Sequence, residues 1–257
     1  LAGNMASVGN IADKMLRYQH KNGGSSLPSD MQTRAERLYN AVPFATILFM
    51  LNLGMGFATL FAVLWLMTRP TRRTLRGSML MKIAVAVMLL SFAALTLCAA
   101  LRWLIRGTAP MANGYETMLL MAWIIMAASL LLCRRFAIVL TFGFIMSGFF
   151  LLVSHISQMD PQITHIMPVL QSPLLSIHVS VIMTAFALLS LTFICGITAL
   201  LLRSMRGSRA EGLAAQLAAL RALSQLFYYP AMAALAVGIF VGAVWANVSW
   251  GTYWSWD

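Results

Sequence analysis

The chain is predicted to be an all-α polytopic membrane protein, and three observations carry that prediction. Of its 257 residues, 60% are hydrophobic and only 10% are charged, with a mean hydropathy of +0.81; soluble domains carry about 25% charged residues. The apolar residues gather into six runs, each near the roughly 20 residues needed to cross the hydrocarbon core of a bilayer. The Lys and Arg residues behind the net charge of +11 lie mostly in short stretches between those runs. That placement sets membrane orientation. A nucleic-acid surface would instead need cations interleaved with aromatics on a soluble face, so no nucleic-acid partner is expected.

The elements follow in order. Residues 1–43 are polar and carry Gly23-Gly24-Ser25-Ser26, with Pro28 and Pro43 beyond. This composition suits a linker or the tail of a preceding domain, with room for a short helix over 31–40. Spans are expected at 44–68, 80–101, 115–132, 136–153, 174–202 and 229–246, within a six-helix transmembrane domain over 44–246. The third and fourth are joined only by Cys133-Arg134-Arg135, which predicts a tight antiparallel hairpin. Gly54 and Gly56 in the first span, and Gly143 and Gly148 in the fourth, permit close backbone approach between helices. Between the fifth and sixth spans, Leu213, Leu217, Leu220 and Phe227 recur at helical spacing, while Arg209, Gln216 and Arg221 lie elsewhere. This predicts a separate amphipathic helix over 208–227, lying on lipid at the cytoplasmic surface. No strand alternation and no long-period repeat is present.

Orientation follows from the cations. Loops 69–82, 133–135 and 203–228 hold Arg69, Arg72, Arg73, Arg76, Lys82, Arg134, Arg135, Arg203, Arg206, Arg209 and Arg221; loops 102–114 and 154–173 hold only Arg102 and Arg106. The first set is expected on the cytoplasmic side. The N-terminal segment, the two sparse loops and the C-terminal residues then face outward. The chain opens on Leu1 with no signal-peptide pattern and stops at Asp257 within a motif, so a C-terminally truncated piece of a longer protein is expected.

Several chemistries are excluded by pattern. No catalytic triad, Walker loop, dinucleotide fingerprint or zincin helix occurs, and no paired carboxylates are placed for acid–base work. Cys98, Cys133 and Cys195 form no Cys-x-x-Cys, which leaves thiol exchange and zinc unsupported. The 19 methionines read as flexible packing. His20 reads as solvated, and His155 and His165 as loop histidines with no metal-ligand spacing.

Three features carry candidate chemistry. His178, in Ser176-Ile177-His178-Val179-Ser180, stands a few residues inside the fifth span. A histidine there is a functional candidate by default; a ring satisfied by a backbone carbonyl or a neighbouring Ser is the equal alternative. A haem iron, which takes imidazole axially, would favour the first reading. Asn113-Gly114-Tyr115-Glu116 opens the third span: Asn113 suits an N-cap and Glu116 the helix dipole, and Glu116 could also meet a cation. Finally, Trp245, Trp250, Trp254 and Trp256 fall within twelve positions. An interfacial aromatic belt explains one or two of them. The cluster of Trp250, Gly251, Tyr253, Trp254, Trp256 and Asp257 forms an aromatic platform beside an acid, and residues 247–257 are expected to begin an outward-facing segment.

Trp250-Gly251-x-x-Trp254-x-Trp256-Asp257 resembles the tryptophan-rich "WWD" haem-handling signature of cytochrome c assembly membrane proteins. Asn113-x-Tyr115-Glu116 and Leu170-Gln171-Ser172-Pro173…His178-Val179-Ser180 are similar to the CcsA (ResC) branch, called system II, rather than to the CcmC or CcmF branches. The resemblance implies a protein of the bacterial inner membrane that binds haem b at an outward-facing site and presents it for thioether attachment to apocytochrome c. It implies His178 as an axial ligand of the haem iron, and Trp250, Gly251, Tyr253, Trp254, Trp256 and Asp257 as haem contacts. It also implies a CcsB (ResB) type partner, in some members fused N-terminally, with which holocytochrome c synthase activity would arise without a side-chain nucleophile. A second outward histidine is expected beyond Asp257. The rival readings are a transporter for another substrate gated by the Trp cluster, a subunit that docks a partner through that cluster, and a quinone-linked haem electron carrier.

Overall fold

The computed structural model describes residues 5–24, 27–68, 78–111, 113–156, 161–163, 172–206 and 212–254. The described residues form eight helices and no strand: α1 Met5–Asn22, α2 Asp30–Ala41, α3 Phe44–Thr68, α4 Met79–Arg106, α5 Gly114–Leu132, α6 Ile138–Ile156, α7 Pro173–Arg206 and α8 Leu213–Trp250. Helices α3 to α8 are each long and apolar enough to span a bilayer, and the chain is a multi-pass membrane protein. The starts of α3, α5 and α7 and the ends of α4, α6 and α8 share one end of the bundle, here called the tryptophan end. The opposite end carries Arg134 and Arg135 in the turn between α5 and α6; Arg69, Arg72, Arg73, Arg76 and Arg209 lie outside the described residues.

Local chemistry explains the helix boundaries. Ser29 caps α2 in a capping box with Gln32, each side chain meeting the other residue's backbone N–H, which satisfies two otherwise unpaired donors. Ser78 caps α4 by accepting from Met81 N. Gly107, at φ 77°, ends α4 with its N–H on Trp103 O. Asn113 caps α5 through Glu116 N at 2.9 Å. Residues 133–137 turn the chain directly from α5 into α6, the expected hairpin.

Helices α3–α6 form a four-helix unit, with α2 laid across the tryptophan end of α4 and α7–α8 as a long hairpin against α5. In lipid, apolar side chains gain little from leaving one hydrocarbon phase for another, so close packing and buried polar contacts do the joining. The α3–α6 contact shows both. A Cβ on Gly56 would lie 2.8 Å from Ile145 Cγ1, and one on Gly148 would lie 2.8 Å from Leu53 Cγ and 2.9 Å from Leu53 N. Only glycine lets those backbones come so near. Gly54, expected to help, has nothing within 4 Å. Between the same helices the fully buried Asn52 donates to Ser147 Oγ at 3.1 Å.

The structure departs from the sequence expectations in three places. Residues 1–43 hold two helices, of which α2 matches the short helix expected over 31–40, whereas α1 was not expected. The second span runs to Arg106, so Arg102 and Arg106 lie on the last turns of α4 rather than in a loop. The amphipathic stretch over 208–227 is no separate helix on lipid: from Leu213 it is the first half of α8, continuous through Pro230. Its apolar residues Leu213, Leu220, Leu223 and Phe227 are buried in a core shared with Leu191, Cys195 and Leu202 of α7. Ala231, Gly238 and Trp245 continue the same buried stripe, at the intervals of an α-helical face. At 1.5 Å per residue α8 is about 57 Å long. Tyr228 and Tyr229 are partly to largely exposed, and the step from Tyr229 to Trp250 is roughly 31 Å, one hydrocarbon thickness between two aromatic levels. The first half of α8 lies beyond the Tyr228–Tyr229 level and packs on the second half of α7.

Candidate functional site

His178 lies on the second turn of α7, at the tryptophan end. Its Nδ1 is 2.7 Å from the Gly238 carbonyl of α8. A carbonyl oxygen only accepts, so Nδ1 carries the proton and donates it. In the neutral ring Nε2 is then the nitrogen that carries the lone pair. This is the arrangement by which a carbonyl fixes the tautomer of a metal-binding histidine.

The next turn of α8 shapes the place for the ring. A Cβ on Gly242 would fall 2.4 Å from Cε1, 2.5 Å from Nδ1 and 3.1 Å from Nε2 of His178. The imidazole occupies the volume that any other residue at 242 would fill. Gly238 opposes Ile182 in the same way, with a virtual Cβ 2.6 Å from Ile182 Cδ1. The α7–α8 register therefore pairs Gly238 with Ile182 and Gly242 with His178.

Trp245 follows three residues later on the same face, about 4.5 Å further toward the tryptophan end. It is 92% buried, since 8% of it is exposed, and its ring meets Trp250 edge-on at 4.8 Å and 69°. Gly251, at φ 78°, ends α8 with its N–H on Asn247 O, so the Trp-rich segment neither continues the helix nor begins as a strand at Trp250. Trp250, Tyr253 and Trp254 are exposed. Trp256 and Asp257 lie outside the described residues. The structure thus brings His178, Gly242, Trp245 and Trp250 to one end of the α7–α8 hairpin, with Tyr253 and Trp254 just beyond.

Among the described residues, no cluster of three or more His, Cys, Asp or Glu side chains could hold a metal ion. His155 is on the last turn of α6, not in a loop, with Nδ1 3.2 Å from Thr46 Oγ1 and its ring 5.2 Å from Phe49. His165 lies outside the described residues.

A second polar centre lies at the same end, where Glu116 caps the helix start and also meets cations, the alternative left open for it in sequence. The Glu116 carboxylate accepts from Arg102 Nε at 3.0 Å and Nη2 at 2.8 Å through Oε1, and from Arg106 Nη1 at 2.6 Å through Oε2. Arg102 also donates to Tyr39 OH of α2 and to Pro161 O at 2.7 Å, and its guanidinium lies over the rings of Tyr39 and Tyr115. Arg102 and Glu116 are almost fully buried. Asn113-x-Tyr115-Glu116 is therefore an architectural motif: a cap, an aromatic support and the anion that holds α2, α4, α5 and residue 161 together. The cue in sequence was the four-residue spacing of Arg102 and Arg106, which puts both on one helix face. A cavity of about 370 Å³ lies beside this centre between α4 and α5. It is walled by Leu95, Trp103, Leu119 and Trp123 among others, and His178 does not line it.

Comparison with known proteins settles the ancestry. A sequence profile described as Cytochrome C assembly protein matches residues 111–257, a stretch that contains α5 to α8, His178 and the Trp-rich segment. The chain belongs to the cytochrome C assembly protein family. Protein NrfI of Wolinella succinogenes is 33% identical over 243 residues, covering 93% of this chain and 26% of that protein. The cytochrome c biogenesis protein CcsA of Chlamydomonas reinhardtii is 31% identical over 174 residues, covering 63% of this chain and 48% of that protein. A CcsA from Synechococcus sp. (strain CC9605) is 32% identical over 211 residues, covering 69% and 67%. The chain thus spans about a quarter of the first relative's length and about half of the second's. These relatives agree with the CcsA-type resemblance within the family.

Proposed function

We propose that this chain forms the haem-presenting part of a cytochrome c maturation machine. The observation that carries the reading is the state of His178: Nδ1–H is engaged by Gly238 O and the ring is seated against Gly242, so Nε2 is the nitrogen left for iron. Haem is the cargo. Its iron accepts an imidazole nitrogen axially, and its wide apolar face suits Trp250, Tyr253 and Trp254, with Trp256 and Asp257 following in the same sequence motif. The protein's contribution is positioning: the thiols of an apocytochrome c add across the vinyl groups, so no side-chain nucleophile is required. The family membership supports a role in cytochrome c maturation. Haem b as the form carried, a CcsB-type membrane partner and the apocytochrome as acceptor belong to the same proposal.

The positive-inside count supports a tryptophan end facing out of the cytoplasm, with the paired extensions of α7 and α8 in the cytoplasm of a bacterial cell. His178, the Trp segment and the α2-bearing end then share the compartment in which thioether attachment would occur.

The test uses the whole membrane protein, purified in detergent. The unsubstituted protein is expected to carry haem with an imidazole-ligated visible spectrum. His178→Ala is expected to lose or loosen it, and added imidazole to restore it by entering the vacated cradle. Unchanged occupancy and ligation in His178→Ala would contradict the assignment.

A further inference from the structure

We infer that Trp245 is a positioning residue whose indole N–H receives a carboxylate of the bound porphyrin; this rests on the haem reading above. The starting point is an unpaired donor. Trp245 Nε1 is buried and has no hydrogen-bond partner among the described residues. A buried indole N–H normally finds an acceptor, and leaving it without one is unfavourable. Its neighbour Trp250 offers only an aromatic ring, at best a weak acceptor.

The position of the orphan donor gives it a use. Gly238, Gly242 and Trp245 share the α8 face that meets α7. The first accepts the His178 proton and the second seats the His178 ring. Trp245 stands one turn beyond, toward the tryptophan end. At this end of the hairpin the protein thus holds an imidazole with its Nδ1 engaged and, one turn outward, a buried N–H donor without a protein acceptor among the described residues. A ligand that answers both has an electrophilic metal at its centre and an anionic acceptor at its rim, and an iron porphyrin with carboxylate side chains has both. A charged acceptor makes the stronger class of hydrogen bond. Trp250 meets the Trp245 ring edge-on, but it is the last residue of α8, 57% exposed and followed by Gly251 at φ 78°. Seating the carboxylate then requires only that this terminal side chain swing aside.

The test compares binding of ferric protoporphyrin IX and its dimethyl ester to the haem-stripped full-length protein, read by the Soret band. The unsubstituted protein is expected to prefer the free acid by about ten- to a hundredfold, the range of a hydrogen bond to a charged group. Trp245→Phe keeps the ring and removes the N–H; it is expected to abolish the preference while leaving the Soret position set by His178 unchanged. Trp103→Phe, which alters an exposed indole on α4 outside the α7–α8 hairpin, is expected to retain the preference. Equal binding of acid and ester by the unsubstituted protein overturns the inference, as does a preference that survives in Trp245→Phe; in both cases the haem reading stands. If Trp245→Phe does not fold, the unsubstituted protein's own comparison of acid and ester decides. Failure of the unsubstituted protein to bind either porphyrin defeats the haem reading itself, and this inference with it.

Discussion

Glu116→Ala is expected to be the most destabilising single substitution at the tryptophan end. The carboxylate takes three hydrogen bonds from two guanidinium groups, and its side chain and that of Arg102 are each only 1% exposed. Removing it leaves two cations facing each other without their shared anion, in a place where water does not reach. Breaking a buried pair by deleting one partner costs about 3–5 kcal/mol, which in a chain of this size lowers the midpoint of thermal unfolding by roughly 10 °C. Asn113→Ala removes only the α5 cap and is expected to cost about 1 kcal/mol. Pairing Glu116→Leu with Arg102→Met, which deletes both charges, is expected to recover part of the loss. Thermal unfolding of the three variants in one detergent checks the ordering. A Glu116→Ala protein no less stable than Asn113→Ala would show that the ion pair does not hold this end of the bundle.

Gly242→Ala is expected to abolish haem retention while leaving the fold intact. Alanine is the better helix former by about 1 kcal/mol, so α8 gains locally. The new Cβ, however, would sit within 2.5 Å of His178 Cε1 and Nδ1, and the ring must leave its seat and its bond to Gly238 O. Losing the group that orients a metal-binding histidine costs roughly 10- to 100-fold in affinity, and displacing the histidine itself costs more. Exogenous imidazole is expected to restore haem to His178→Ala but not to Gly242→Ala, because the methyl group fills the cradle. Gly196→Ala, on the same hairpin with nothing within 4 Å of its virtual Cβ, is the control expected to keep haem. The haem-to-protein ratio of the three purified proteins reads the result directly. A Gly242→Ala protein with full haem would mean that the imidazole seat is not the site.

Much of this architecture is legible in the sequence, for physical reasons that differ by element. Six apolar runs have only one stable destination in a cell, and the helices form there. Asn113 before the third run acts as the cap its chemistry suggests. His178 stands out because an imidazole inside a span needs a reason to be there.

Other features are silent in one dimension. Gly238 and Gly242 look like two more small residues in a span, and their meaning appears only when α7 lies against them in register. The amphipathic pattern over 208–227 suggested a helix separate from the sixth span, but from Leu213 both belong to one 38-residue helix; the buried stripe from Leu213 to Trp245 passes through Pro230 without a break. Arg102 and Arg106 appeared to be loop cations because charge usually ends a span. Here Glu116, ten and fourteen residues away and on the neighbouring helix, lets them stay inside. Trp245 looked like one member of a belt, and only its buried, unpaired N–H sets it apart.

The most direct test of the central claim, that His178 Nε2 is offered to a haem iron at the tryptophan end, is the absorption spectrum of purified His178→Cys in the ferric state. A residue that touches the iron must change the spectrum when imidazole is replaced by sulfur, so haem retained with a thiolate-type or five-coordinate spectrum is expected. A His178→Cys protein that keeps both its haem content and the imidazole-ligated spectrum of the unsubstituted protein would contradict the account.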